Sequence, residues 1–246
     1  MHGPPSPLVE NYLREAGFWH VATVGRGCKL YPKLISALIE RWRPETHTFH
    51  LPCGECTITL EDVSLQLGLP VDGNPVTGSV QSSNWEAVCY ELLGAILDKM
   101  EGAGEFSWGS AVLATLYREM CGATRPRRAK IGGCLSLLQS WAQFRFLFLR
   151  PRVDHPYTFP LITRLKFYLI RWNHPASHSR VPSSLEDIRL LLDQRSEAQF
   201  EWTPYEDPVI WAVIPEEFLQ NLNAWHVKVV LINYATVEPH QSDRVL

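Results

Sequence analysis

The sequence has no excess of positive charge. Its 23 lysines and arginines are outnumbered by 26 aspartates and glutamates, and the formal net charge is -3. Proteins that hold nucleic acid without regard to sequence use lysine and arginine to displace counterions from phosphates. A nucleic-acid grip along the whole chain is therefore not predicted, which leaves a local basic patch as the only basis for such binding.

Long apolar runs are also missing. The longest uncharged run, residues 131–144, contains serine and glutamine and is shorter than the ~20 apolar residues of a membrane-spanning helix. The N-terminal residues lack the basic start and apolar core of a secretory signal. Six cysteines are spread thinly over 246 residues, unlike those of small secreted disulfide proteins. We expect no membrane contact, and reduced thiols in the nucleus or, alternatively, the cytoplasm.

The sequence motifs of common enzymes are absent. There is no Gly-x-Ser-x-Gly elbow, phosphate loop, dinucleotide glycine fingerprint or His-Glu-x-x-His helix. Paired acids could indicate metal or acid-base chemistry, but most of them lie near predicted helix starts, where carboxylates complement the helix dipole. These pairs are Glu61-Asp62, Glu186-Asp187, Glu206-Asp207 and Glu216-Glu217. We predict neither catalysis nor a cofactor.

Apolar and aromatic residues are plentiful and mostly follow helical spacing. Hydrophobic residues make up 46% of the chain, with nine Trp, eight Tyr and ten Phe, which is enough to build a sizeable core. The pattern predicts a mainly α (α+β), bundle-like single domain over residues 1–246, with a small β-hairpin near 47–60 and a candidate strand near 227–233. The predicted helices cover residues 7–16, 32–42, 60–67, 85–100, 108–121, 134–149, 160–172 and 185–194.

Two segments mark boundaries. Residues 172–184 are rich in proline, serine and histidine, which predicts an exposed loop or a weak subdomain boundary. Residues 238–246 resemble a helix that the end of the sequence cuts short. We therefore expect a domain that is truncated at its C-terminus.

The hairpin region carries a candidate metal site. His47, His50, Cys53 and Cys56 follow one another at steps of three residues, and imidazole and thiolate are ligands of tetrahedral zinc. On a hairpin, however, successive side chains point to opposite faces, so His47 and His50 should point apart. Ordinary turn and strand residues are the favoured interpretation, and zinc is the minor one.

Two segments are candidate interaction sites. The dense basic cluster of Arg125, Arg127, Arg128 and Lys130 could contact an acidic partner or phosphates, or could be a solvated loop. Trp202 and Tyr205 lie in an aromatic, proline-containing stretch that could form a binding hot spot, because rigid aromatics bury area at a low entropic cost. Core packing is the alternative for both aromatics.

Several longer strings resemble a known family. GFWHVATVG, RWRPETHTFHLP, TLEDVSLQLGLPVDG, FEWTPY and IPEEFLQ are similar to the plant mobile domain, also labelled aminotransferase-like. The resemblance runs from about Pro7 to the C-terminus. It implies a nuclear role in transposon silencing, gene expression regulation and meristem maintenance or development, similar to the maintenance-of-meristems group.

The resemblance also bears on catalysis and partners. Some relatives join this domain to a long-form plant serine/threonine phosphatase, but the metal-binding motifs of that phosphatase are missing from this sequence, so a phosphatase-like protein is expected only as a partner. Pyridoxal phosphate chemistry needs a Schiff-base lysine and a phosphate cup. The sequence does not present this arrangement convincingly, so we treat the aminotransferase label as nominal. The leading hypothesis is a non-catalytic module that binds nuclear proteins. The alternative is a transposon-derived domain that binds nucleic acid.

Overall fold

The computed structural model confirms a mainly helical fold with a small antiparallel sheet. It describes residues 7–24, 29–76, 103–125, 130–150, 155–165, 184–220, 222–225, 230–233 and 236–239. The helices in this part of the chain are α1 Pro7–Glu15, α2 Trp19–Val24, α3 Pro32–Ile39, α4 Leu60–Leu67, α5 Trp108–Ala123, α6 Leu135–Arg145, α7 Leu185–Asp193 and α8 Pro208–Trp211. None of these helices is long and apolar enough to cross a membrane.

The predicted hairpin is confirmed and has a third strand. Strands β2 (Thr48–Leu51) and β3 (Gly54–Cys56) pair in antiparallel fashion, and β1 (Trp42–Arg43) pairs with the other edge of β2. Trp42 therefore belongs to the sheet, whereas helical spacing had predicted it at the end of α3. The sheet packs its apolar side inward, where the Phe49 ring stacks on Trp141 with 4.9 Å between ring centroids.

Helix α4 has a capping residue at its start and a glycine at its end, and the sequence shows both. The Thr59 hydroxyl accepts a hydrogen bond from the Asp62 backbone N–H, and the Asp62 carboxylate accepts one from the Thr59 N–H. This reciprocal capping box satisfies two backbone donors at the helix start. At the other end Gly68 adopts a φ of 65°, a left-handed conformation that glycine takes without a Cβ penalty.

A second antiparallel pair lies near the C-terminus. Strand β4 (Val230–Asn233) confirms the predicted strand near 227–233 and pairs with β5 (Thr236–Pro239), and both strands pack on α5. The predicted C-terminal helix is wrong at Glu238 and Pro239, because these residues pair with Leu231 and Val230. The predicted helix 85–100 and the loop 172–184, except Ser184 at its end, lie outside the described residues.

The core sits between α3, α4, α5, α6 and the three-stranded sheet. Its largest fully buried side chains are Trp42, Phe49, Trp108, Tyr117, Trp141 and Phe146. Helix α3 packs against α7, and α4 packs against both α5 and α6. This arrangement fixes α4 at the centre of the molecule, with one end in a buried polar network and the other at a surface cleft.

Candidate functional site

The start of α4 carries a buried carboxylate that is fully hydrogen-bonded. Asp62 is 0% exposed. One carboxylate oxygen accepts hydrogen bonds from the Thr59 N–H at 2.8 Å and the Thr59 hydroxyl at 2.9 Å. The other accepts from the Arg145 guanidinium at 3.1 Å and the Tyr205 hydroxyl at 2.6 Å. Both oxygens are therefore engaged within the protein, which leaves no lone pair directed at a substrate.

The partners of Asp62 are themselves engaged. The Arg145 guanidinium also donates to the backbone carbonyls of Glu201 and Trp202, and the Gln66 amide donates to the Tyr205 oxygen at 2.6 Å. Burial and the neighbouring Asp62 carboxylate raise the pKa of Tyr205 well above its usual value. The phenol therefore stays protonated and acts as a donor. This network ties the 200–206 loop to α4 and α6 and is structural in character.

Glu61 lies at the edge of this network with an unusual pKa. Burial and the neighbouring Asp62 carboxylate raise the pKa of Glu61 from 4.5 to about 7, although the Arg145 guanidinium opposes the shift. A raised carboxyl pKa can indicate a catalytic acid. The presence of Asp62 next to Glu61, however, is explained by helix capping, because the Asp62 carboxylate accepts a hydrogen bond from Thr59 and pairs with Arg145.

Replacing Glu61 with glutamine should flatten the dependence of stability on pH. Between pH 4.5 and about 7, Glu61 stays protonated in the folded protein but loses its proton in the unfolded chain. The free energy of unfolding of the wild type should therefore fall by about 2–3 kcal/mol as pH rises through this window. Glu61→Gln should be the more stable protein at pH 8. Urea unfolding at a series of pH values measures this difference. The exposed Glu216→Gln serves as control, and identical profiles for all three proteins would contradict the assignment.

The candidate zinc ligands of the hairpin region have separate surroundings. The His47 ring stacks on Tyr117, with 5.3 Å between centroids, and its Nε2 lies 3.0 Å from the Glu238 carboxylate on β5. His50 is exposed and pairs with Glu55 on the neighbouring strand. Cys53 and Cys56 are buried. Burial raises the pKa of Cys56 well above its usual value, which disfavours the thiolate that zinc binds.

These four residues do not form a cluster. Within the described part of the chain, no three or more His, Cys, Asp or Glu side chains lie close enough together to hold a metal ion. His47 has a φ of 53°, a left-handed conformation that is uncommon outside glycine but is enriched in asparagine, aspartate and histidine. Its ring thereby reaches Tyr117 and β5, a contact that residue spacing could not predict.

The candidate interaction residues fall into different environments. Arg125 and Lys130 are exposed at the two ends of the basic segment, and Arg127 and Arg128 lie outside the described residues. Tyr205 is buried in the Asp62 network, which agrees with the core-packing alternative for this residue. Trp202 is half-buried.

The exposed part of the aromatic stretch lies on α8. Val209 is 61% exposed and Trp211 is 42% exposed, whereas Ile210 between them is 0% exposed. The Asp207 carboxylate accepts a hydrogen bond from the Val209 N–H at 2.9 Å and caps this short helix. The sequence pattern did not identify Val209 as an exposed residue. A helical assignment for residues 208–211 would have placed it on a different side of the helix from the buried Ile210.

A cleft opens at the other end of α4. It is formed where the ends of α1 and α4 meet the start of α2, and its volume is about 250 Å³. Gly17 and Gly68 allow this close approach, because a Cβ on Gly17 would lie 2.9 Å from Pro70 and one on Gly68 would lie 2.4 Å from the His20 Cβ. The cleft is lined by Arg14, Gly17, Trp19, His20, Ser64, Gly68, Pro70, Val71, Asp72, Glu217, Phe218 and Trp225.

The polar groups of the cleft are mostly paired across its walls. The His20 Nε2 lies 2.8 Å from the Glu217 carboxylate, and the His20 ring meets the Phe218 ring edge-on. The Arg14 guanidinium lies 4.5 Å from the Trp19 ring centroid and pairs with Glu10 at 2.9 Å. Aromatic walls with charged rims are typical of binding sites rather than of packed core.

Comparison with known proteins decides the family. A sequence model of the plant mobile domain matches residues 17–103 and 95–246. The chain belongs to the plant mobile domain family. The strings that carried the resemblance, including TLEDVSLQLGLPVDG, lie inside these matches and contain Asp62, Ser64 and Gly68. The residues at both ends of α4 therefore lie within the part of the sequence that matches the family.

The plant mobile domain chain is similar to several Arabidopsis thaliana proteins. It is 33% identical to "Serine/threonine-protein phosphatase 7 long form homolog", over 99% of this chain and 23% of that protein. It is 32% identical to "Protein MAINTENANCE OF MERISTEMS", over 95% of this chain and 60% of that protein, and 29% identical to "Protein MAIN-LIKE 1", over 96% and 57%. The chain thus spans less than two thirds of the length of these relatives. No solved structure matches it.

Proposed function

We propose that this plant mobile domain protein is a non-catalytic nuclear protein-interaction module that serves transposon silencing, gene expression regulation and meristem maintenance or development. The similarity to MAINTENANCE OF MERISTEMS and MAIN-LIKE 1 over nearly the whole chain supports the biological setting. Nuclear proteins are the proposed partners. A phosphatase-like protein is a candidate among them, because one relative carries a phosphatase name.

Two exposed apolar side chains of α8, Val209 and Trp211 on either side of the buried Ile210, are the observation that supports binding most directly. Val209 and Trp211 present apolar area to solvent, while the Ile210 side chain between them is buried and fixes the helix in place. A rigid aromatic residue that is already ordered loses little entropy when a partner covers it. The buried Asp62 carboxylate and the Tyr117 and Tyr205 phenols, in contrast, are engaged in hydrogen bonds within the fold, which supports a module without a catalytic role.

A double variant, Val209→Ser/Trp211→Ser, should lose its partner while it keeps its fold. Tagged wild type and variant would be used for affinity capture from plant nuclear extract, followed by quantitative mass spectrometry. We expect at least one protein to be depleted about tenfold or more in the variant, since loss of a hot-spot aromatic typically costs about 2 kcal/mol of binding energy.

The matched control removes the same kind of surface elsewhere. Leu147 and Leu190 are 50% and 55% exposed, so Leu147→Ser/Leu190→Ser deletes a similar apolar area away from α8. Nuclease treatment of the extract separates protein contacts from contacts bridged by nucleic acid. Identical partner profiles from wild type and both variants, or capture that disappears with nuclease, would contradict the proposal.

A further inference from the structure

We infer that the cleft at the C-terminal end of α4 binds a basic side chain, lysine or arginine, of a partner peptide. This inference rests on the proposed function, because it assigns the chemistry of one segment of a partner. It concerns a different set of residues, because Val209 and Trp211 of α8 do not line the cleft.

The first observation is the charge of the cleft. Asp72 is exposed and forms no hydrogen bond or ion pair within the described part of the chain. Glu217 is exposed and meets His20. The Arg14 guanidinium, which is the positive group on the lining, is already paired with Glu10. The lining therefore carries two carboxylates, Asp72 and Glu217, against one guanidinium that is already paired, a balance that favours a cationic ligand over an anionic one.

The second observation is a serine hydroxyl on the lining of the cleft. Ser64 lies on α4, is 3% exposed and lines the cleft. Its side chain forms no hydrogen bond with another described residue, although mid-helix serine and threonine commonly bond to the carbonyl four residues before them, as Thr115 does. The Ser64 oxygen is therefore available to accept a hydrogen bond from an N–H group of a ligand.

The third observation is the aromatic wall. Trp19, Phe218 and Trp225 line the cleft, and the Trp19 ring already carries a guanidinium, that of Arg14, at 4.5 Å from its centroid. Aromatic faces attract ammonium and guanidinium groups through the ring quadrupole. The methylene stem of lysine or arginine can also pack against such rings while its charged end stays near the carboxylates.

The size of the cleft argues for a side chain rather than a cofactor. Pockets for drug-sized ligands and cofactors typically measure roughly 300–1,000 Å³, and this cleft holds about 250 Å³. One long side chain and its adjoining backbone fit this volume. A lining that carries two carboxylates and a serine hydroxyl suits a ligand with several N–H donors and no acceptor, which describes lysine and arginine.

The test uses short blocked peptides and nuclear magnetic resonance of the full chain. The probes are Gly-Ser-Gly-X-Gly-Ser-Gly with X as lysine, arginine, norleucine or glutamate. We expect the lysine and arginine peptides to shift the indole signals of Trp19 and Trp225 in a saturable way, and the comparison of these two peptides identifies the preferred cation. The norleucine and glutamate peptides should have at least about tenfold weaker effects.

Variants of the two carboxylates tie the binding to the cleft. Asp72→Asn/Glu217→Gln should weaken binding of the preferred peptide about tenfold or more, and salt should weaken it in wild type. The control Glu197→Gln/Glu216→Gln removes the same charge from exposed acids outside the lining and should bind like wild type. Equal binding of the norleucine peptide, preference for glutamate, equal loss in both variants, or no saturable shift would overturn the inference.

The outcomes also separate this inference from the proposed function. If nuclear partners are captured through α8 while no peptide enters the cleft, the inference fails and the proposed function stands. If the basic peptides bind the cleft but the α8 variant captures the same proteins as wild type, the cleft assignment survives and the α8 proposal fails.

Discussion

Asp62→Asn should lower the free energy of unfolding by about 3–5 kcal/mol, because it leaves the buried Arg145 guanidinium without its counter-charge. Both groups are almost entirely buried, with side chains 0% and 4% exposed. The asparagine side chain has only one acceptor oxygen, so it cannot accept the hydrogen bonds of Thr59, Arg145 and Tyr205 together. Chemical denaturation at pH 7, followed by tryptophan fluorescence, measures the loss.

A surface ion pair provides the matched control. Asp193 pairs with Arg41, but its side chain is 58% exposed, so Asp193→Asn should cost less than about 1 kcal/mol. The double variant Asp62→Asn/Arg145→Met should cost less than the sum of its single variants, since the pair disappears together. Similar losses for Asp62→Asn and Asp193→Asn, or strict additivity, would show that the buried network does not act as a unit.

Gly68→Ala should lower the free energy of unfolding by about 2–5 kcal/mol. A left-handed conformation costs a residue with a Cβ about 1–2 kcal/mol, and Gly68 has a φ of 65°. The added Cβ would also lie 2.4 Å from the His20 Cβ, which forces α2 away from α4 at a further cost of about 1–3 kcal/mol. Thermal or chemical unfolding measures the total.

Gly132→Ala is the control for this substitution. Its added Cβ would meet the end of the flexible Glu119 side chain at 3.1 Å, and no positive φ is involved. It should therefore cost much less than Gly68→Ala. If both variants unfold alike, the close contact between α2 and α4 does not exist in solution, and the cleft between these helices would need a different description.

Local sequence was sufficient for elements whose ends are set by nearby residues. The capping box of Thr59 and Asp62 and the stop at Gly68 involve groups only a few residues apart, so α4 could be predicted closely. The hairpin was predictable for the same reason, because the turn at Pro52 and Cys53 lies directly between its two strands. Helix α6 was predicted to reach Leu149 but ends at Arg145. Phe146 instead bridges to Phe200, a partner that is distant in sequence.

The sites required contacts that sequence spacing does not show. Asp62 was interpreted as a cap, which is confirmed, but its contacts with Arg145 and Tyr205 span 83 and 143 residues. The prediction for residues 238–246 was wrong at Glu238 and Pro239 because pairing with β4 overrides local helical preference. The cleft joins Arg14 to Trp225, so no single stretch of sequence identifies it.

Site-specific photo-crosslinking tests whether this domain binds other proteins through the exposed apolar residues of α8. A photoreactive phenylalanine analogue would replace Trp211 on α8 or, as control, Leu190 on α7, which is 55% exposed. In plant nuclei, we expect a discrete protein adduct from position 211 that is absent from position 190. No protein adduct at position 211, the same adducts at both positions, or adducts to nucleic acid alone would contradict the proposal.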